Sequence, residues 1–169
     1  MTWELLNEEV GVINAVPDKA RLLGEVGVVE DSENSSANQQ RLKNSGMPIF
    51  VRRVRFGGAY AVGSRVKWTS GYAGTRVEQA GASEKANGIV DPFLSASTAS
   101  GDVGLIFIAG PMDVISSAAI SANAKLKGAA SGKVVTDSTV GDNLSEGVAI
   151  EAATGADENI RALMEFPQY

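Results

Sequence analysis

The 169-residue sequence contains neither cysteine nor histidine. The first absence excludes disulfides, thiolate metal sites and cysteine nucleophiles, and the second excludes imidazole ligands and Ser-His-Asp triads. Catalysis would have to depend on carboxylates, lysines or tyrosines. We therefore expect a protein that is not an enzyme and that needs no metal and no cofactor.

Long apolar runs are also missing. No stretch approaches the ~18 consecutive apolar residues that indicate a membrane-spanning helix. Residues 1–5 (MTWEL) lack the basic and apolar regions of a secretory signal. We therefore expect synthesis in a cytoplasm and no membrane partner.

β-Branched residues and glycine are abundant. Valine and isoleucine together number 27, against 14 for leucine and methionine, and there are 19 glycines. β-Branched side chains fit the pleated surface of a strand, and glycines permit tight turns. Short alternating runs separated by Gly, Asn, Asp and Ser indicate a mainly β protein, built as a β-barrel, a β-tulip or a sandwich. Residues 103–109 form a continuous apolar run, which predicts a strand buried on both faces.

Residues 1–48 differ from the rest of the chain. Residues 30–46 are a polar stretch with one large apolar residue, Leu42. So long a polar connection is uncommon in a compact domain unless it is functional or mobile. We predict an N-terminal arm over residues 1–48, partly extended, with Trp3, Leu5 and Leu6 as anchors on a neighbouring surface, and a β-rich domain over residues 49–169. The alternative is a surface helix followed by a loop of the same domain.

The β-rich domain contains a weak internal repeat, residues 59–90 and 118–149. Each copy begins with small residues and continues into an apolar and basic run, Arg65-Val66-Lys67 or Lys125-Leu126-Lys127. Each copy closes on a glycine followed by two apolar residues. Two such copies predict two hairpin-rich halves packed around one core.

Charge is unevenly distributed. The net charge of −5 divides into −4 for residues 1–48, +5 for residues 49–80 and −6 for residues 81–169. We expect the basic block to meet acidic groups of a neighbouring subunit, with Arg52, Arg53, Arg55 and Arg65 as interface residues. A solvated face is the simple alternative. The interleaved Phe50, Phe56, Trp68 and Tyr72 are compatible with a nucleic-acid groove, but the acidic chain and the predicted burial of these aromatics argue against a nucleic-acid partner.

Other motifs carry little chemistry. Residues 128–133 (GAASGK) resemble part of a phosphate loop, but three residues separate the glycines instead of four and valine follows the lysine, so a hairpin turn is the better interpretation. The carboxylate pairs Asp137/Asp142 and Asp157/Glu158 lie in turn-like segments, where solvated acids are normal. Asp142, Asn143 and Glu146 offer oxygen ligands to Ca²⁺, but their spacing matches no EF-hand loop.

Several motifs in order resemble those of the small β-rich decoration, or cement, proteins of tailed-phage capsids. The order is residues 101–111 (GDVGLIFIAGP), residues 124–126 (AKL), residues 132–134 (GKV) and residues 147–152 (GVAIEA). The resemblance covers about residues 49–166, and the long N-terminal segment departs from some family members.

The resemblance implies a β-barrel or tulip-like structural protein of the bacteriophage virion that binds the exterior of an assembled capsid. It would stabilise the shell by bridging capsomers. The implied partners are the major capsid protein and further copies of the chain, commonly as a homotrimer and sometimes as a dimer. The alternative function is a carbohydrate- or host-surface-binding β module, for which Tyr72 and Tyr169 are the candidate aromatic residues.

Overall fold

The computed structural model describes residues 26–29, 49–139, 141 and 143–168, which form ten strands of one sheet. The strands are β1 (Val26–Val29), β2 (Ile49–Phe56), β3 (Arg65–Trp68), β4 (Arg76–Gln79), β5 (Gly88–Val90), β6 (Val103–Ile115), β7 (Lys125–Gly128), β8 (Val134–Thr136), β9 (Ser145–Ala149) and β10 (Asn159–Glu165). The prediction of a mainly β protein is confirmed. No helix in the described part of the chain is long and apolar enough to cross a membrane.

Five strands close into a first ring. β2 pairs with β4 in parallel, β4 pairs with β3, β3 with β5, and β5 with the first half of β6. The first half of β6 then returns to β2 through an antiparallel ladder from Arg55↔Val103 to Phe50↔Ala109. β1 extends the sheet beyond the start of β2, with Val28 opposite Phe50.

A second ring repeats this connectivity. The second half of β6 takes the place of β2, and β7, β8, β9 and β10 take the places of β3, β4, β5 and the first half of β6. β8 pairs with β7, β7 with β9, β9 with β10, and β10 with β6. A parallel bridge between Ser116 and Val134 closes the ring, as the parallel pair Phe56↔Val77 closes the first.

The turns of the two rings match as well. Gly63 and Asn123 occupy the same position before β3 and β7, and both have a positive φ, 76° and 66°. Gly101 and Asp157 are likewise equivalent, with φ of 92° and 64°. Their amides donate to the carbonyls of Phe56 and Ser116 respectively. The two sequence segments that resemble each other therefore fold in the same way.

β6 contributes to both rings because a β-bulge in the middle of the strand reverses the side of the sheet that its side chains face. Val51 lies opposite Phe107 but Phe50 lies opposite Ala109, so Ile108 has no partner on β2. One unpaired residue reverses which side chains face which side of the sheet, and it bends the strand. The buried strand predicted for residues 103–109 is found, and it continues to Ile115.

Each ring is filled by its own apolar side chains, and the positions correspond pair by pair. In the first ring these residues form one buried cluster, and in the second all of them except the buried polar Ser116 belong to a larger cluster. The equivalent pairs are Val54/Val114, Phe56/Ser116, Tyr60/Ile120, Val66/Leu126, Val77/Val134, Val90/Ala149, Leu94/Ala153, Ile106/Ala162 and Ile108/Met164. The prediction of one common core is therefore corrected to two cores, because each half closes on itself.

The rings meet where the outer face of the first covers an end of the second. Val51, Ile89, Leu105 and Phe107, on the outside of the first ring, belong to the same apolar cluster as the second ring's interior. Each of these four is 1% exposed or less. The second core is therefore continuous with the contact between the rings.

Candidate interaction surfaces

Arg65 lies inside the protein and joins the two rings. Its guanidinium makes two hydrogen bonds to the carboxylate of Glu146, at 2.6 and 2.7 Å, and donates to the backbone oxygens of Gly81 and Glu84. Both side chains are buried. A β-carbon at Gly128 would clash with the guanidinium of Arg65, so only glycine leaves room for this arginine. Arg65 thus pairs with an acid of its own chain.

Two more of the basic residues are also held within the chain. Arg53 is 1% exposed. Lys67 forms ion pairs with Glu78 and Glu84 at 3.2 and 2.6 Å, and hydrogen bonds to both carboxylates, that to Glu84 first, raise the pKa of Lys67. The expectation that the whole basic block faces a neighbour is corrected for these positions, because burial and acidic partners in the same chain account for them.

The other arginines of the basic block lie at one end of the first ring and form a surface there. The guanidinium of Arg52 lies 5.5 Å from the centre of the Trp68 ring, and that of Arg76 lies 5.6 Å from the Tyr72 ring. Tyr72 is 54% exposed. Burial lowers the pKa of Arg52. We call Arg52, Trp68, Tyr72 and Arg76 the arginine–aromatic end, and the half-buried Arg55 lies beside it with Nη1 on the carbonyl of Gly101.

The second ring shows that the fold does not require this arrangement. Met112 is the counterpart of Arg52, and Gly128 is the counterpart of Trp68. The turn between β7 and β8 is also shorter, a single 3-10 turn at Ala130–Gly132. This turn confirms that residues 128–133 form a hairpin. The arginine–aromatic end is therefore specific to the first ring.

A second surface lies on the outside of the second ring. Val148 and Leu163 pair across β9 and β10 and are 38% and 37% exposed. Their counterparts in the first ring, Ile89 and Phe107, are fully buried in the contact between the rings. Arg161 and Glu165 flank Leu163 on the same side of β10, because side chains two apart in a strand share a face. We call Val148, Arg161, Leu163 and Glu165 the open face.

Phe50 borders the open face. It is 39% exposed and lines a groove of about 540 Å³ together with Ala109, Val148 and Leu163. The sequence predicts that Phe50 is buried, like the other interleaved aromatic residues. The predicted burial is wrong: the ladder between β2 and β6 shifts register between Phe50 and Val51, and Phe50 pairs with Ala109 at the border of the groove, where it stays exposed.

The acidic residues considered for catalysis or calcium are engaged elsewhere. Lys133 Nζ lies 2.6 Å from Asp157 Oδ1, Glu158 accepts from the hydroxyl and amide of Thr154, and Glu146 is committed to Arg65. Asp142 lies outside the described residues. Among the described residues, no three acidic side chains come together as a metal site.

One buried acid has no counterpart in the second ring. Asp91 is fully buried, and its Oδ1 accepts from the amide of Phe93, while Oδ2 has no hydrogen-bond partner in the described part of the chain. Burial raises the pKa of Asp91 to about 7. The equivalent residue in the second ring is the exposed Ile150.

Of the predicted interface residues that the structure describes, Arg52 and Arg55 are the ones brought together near a surface, whereas Arg53 and Arg65 are buried. Trp3, Leu5, Leu6 and Tyr169 lie outside the described residues, so the arm and its anchors remain predictions. Leu163 was missed, although an apolar residue between Arg161 and Glu165 on the polar side of an alternating strand was a signal for it. Val148 carried no such signal.

Comparison with solved structures identifies a fold relative. The chain matches the crystal structure of the head fiber gp8.5 N base of bacteriophage phi29 with a TM-score of 0.56. The match covers 70% of this chain and 96% of that chain, at 12% sequence identity. At this identity the match shows a shared fold. No protein-family model and no curated protein sequence matches the chain.

Proposed function

We propose that the protein is a structural component of a phage virion that binds the outside of an assembled capsid and stabilises it by bridging neighbouring capsomers. The observation that carries this proposal is the fold shared with a phage head fiber base over nearly the whole of that base. The motif order that resembles capsid decoration proteins supports it independently. In this role the protein has no reaction to catalyse.

The arginine–aromatic end is the surface that we assign to the major capsid protein. Arg52 and Arg76 are basic groups for which the structure gives no ion pair within the described residues, and Trp68 and Tyr72 add flat apolar area beside them. Arginine and aromatic residues dominate binding energy at protein interfaces. An acidic patch of the shell would complement this end.

Binding to particles that lack the protein tests the proposal. Phage particles purified from a deletion strain are mixed with the purified chain and sedimented at 0.15 M salt. We expect the chain to sediment with the particles and to raise the temperature at which they release DNA. Failure to sediment at saturating concentration contradicts the proposal.

Matched variants locate the contact. Arg52→Glu with Arg76→Glu should weaken binding by about 100-fold, since rim and anchor arginines each contribute on the order of 1–2 kcal/mol. Lys125→Glu, a single charge reversal of the same kind at an exposed position of the second ring, should leave binding within about threefold. A deletion of residues 1–25, which keeps β1, tests the arm: weaker attachment supports it, and unchanged capsid occupancy refutes it. We expect no DNA binding at 0.05 M salt, and binding that tightens steeply as the salt falls would contradict the expectation that nucleic acid is not a partner.

A further inference from the structure

The open face presents apolar and charged groups in a self-complementary order. Along β10 the outward side chains are Arg161, Leu163 and Glu165, in other words a cation, an apolar residue and an anion at a spacing of two. Val148 lies beside Leu163 on β9. A row of this kind matches itself when it is turned by 180° about Leu163.

The first ring shows that this face of the fold is suited to burial. The residues equivalent to Val148, Arg161 and Leu163 are Ile89, Leu105 and Phe107, and the second ring covers all three within the chain. The second ring has no following ring to cover its own face in the described part of the chain. It exposes Val148 and Leu163 beside Phe50, which together border a groove.

The guanidinium of Arg161 is incompletely hydrogen-bonded within the described part of the chain. The backbone amide of Arg161 donates to Glu151, but its guanidinium Nε and Nη2 have no hydrogen-bond partner among the described residues. A half-buried guanidinium in this state gains from a carboxylate brought by a partner. Glu165 of a second copy is such a group.

We propose that the open face is a two-fold interface between two copies of this chain. Leu163 lies at the axis and packs on Leu163 of the second copy, with Val148 and Phe50 beside it. Arg161 of each copy pairs with Glu165 of the other, so the same ion pair occurs twice, as an isologous contact requires. The biological use of this dimer rests on the proposed function, because it would present two arginine–aromatic ends to the shell.

Sedimentation equilibrium of the full chain between 1 and 100 μM tests the interface. We expect a dimer, and we expect Leu163→Asp to weaken it by at least about 100-fold, as for a central interface residue. Tyr72→Asp, an exposed aromatic of the first ring, is the control and should leave the dimer unchanged. A wild-type monomer at 100 μM, or a trimer insensitive to Leu163→Asp, overturns the proposal.

A charge exchange gives the sharper result. Arg161→Glu and Glu165→Arg should each weaken the dimer by about 10-fold or more, because like charges then meet across the axis. The double variant Arg161→Glu/Glu165→Arg should return to within about threefold of wild type, since the two-fold axis restores both pairs. A double variant as weak as the single variants contradicts the two-fold arrangement. The dimer and the proposed function can fail separately. Binding of the chain to particles depends on Arg52 and Arg76, so monomeric Leu163→Asp should still bind particles even though it does not dimerise.

Discussion

The two rings share a connectivity but differ in how they are filled. The first ring encloses Phe56, Tyr60 and Leu94, where the second has Ser116, Ile120 and Ala153. The side chains inside the second ring are smaller, and residues of the first ring complete its packing. The outer face of the first ring covers one end of the second ring, and the side chain of Arg65 reaches into that end. The comparison indicates that the first ring is packed by its own residues, whereas the second depends on its neighbour.

The largest expected effect comes from breaking the contact between the rings. Glu146→Gln leaves the buried guanidinium of Arg65 without its charge partner, which costs about 3–5 kcal/mol. The equivalent of Arg65 in the second ring is the exposed Lys125, so Lys125→Ala should cost less than about 0.5 kcal/mol. Urea unfolding of both variants measures the difference. Similar costs for the two would show that the rings do not depend on this pair.

A second difference between the rings predicts how stability varies with pH. Asp91 has a pKa of about 7 in the folded protein and an ordinary value of 3.8. Below pH 3.8 the carboxyl is protonated in both states. Between pH 3.8 and 7 the unfolded chain loses a proton that the folded protein keeps, so the free energy of unfolding falls as the pH rises. Above pH 7 the contribution is constant.

The size of this effect is up to about 4 kcal/mol, from ~1.4 kcal/mol for each pH unit. Asp91→Asn retains an acceptor for the amide of Phe93 and removes the titration. We expect the unfolding free energy of this variant to fall much less than that of the wild type between pH 4 and 7. Chemical unfolding at four pH values checks this, and parallel curves for the two proteins would contradict it.

A smaller loss of stability is expected when the space that Gly128 leaves for Arg65 is filled. Gly128→Ala places a methyl group against the held guanidinium, and overpacking of this kind costs about 1–3 kcal/mol. Gly155→Ala is the control, because its β-carbon meets only Glu158 Oε1 at 3.7 Å. Thermal unfolding compares the two. If the clash is with Arg65, Gly128→Ala should cost less in an Arg65→Met background than in the wild type.

Much of this fold could be predicted from local patterns, and the parts that could not depend on long-range pairing. Alternation and turn residues predicted the strands, because side-chain period and backbone freedom are local properties. The closing pair Phe56↔Val77 and the bulge at Ile108 are set by contacts between distant segments. This is why the exposure of Phe50 was not predicted.

For the surfaces, too, local patterns were predictable from the sequence and long-range contacts were not. The basic block was visible in the sequence, but alternation does not reveal that Glu146, 81 residues from Arg65, comes within 2.6 Å of it. Arg52 lies near a surface over the ring of Trp68, whereas the equivalent position in the second ring, Gly128, leaves room for Arg65. The sequence thus predicted which residues carry charge, and only the pairing decided which of those charges are available to a partner.

The smallest expected effect on stability concerns Arg52 itself. Arg52→Met gives the first ring the residue of the second ring, Met112, at the equivalent position. The variant loses a cation–π contact worth about 0.5–1 kcal/mol at an exposed site. It also removes the cost of partly burying a cation, the same burial that lowers the pKa of Arg52. These contributions oppose each other, so we expect urea unfolding to change by less than about 1 kcal/mol while particle binding weakens. A large loss of stability would instead make Arg52 part of the first ring's architecture, and the arginine–aromatic end would then be a structural feature and not a binding surface.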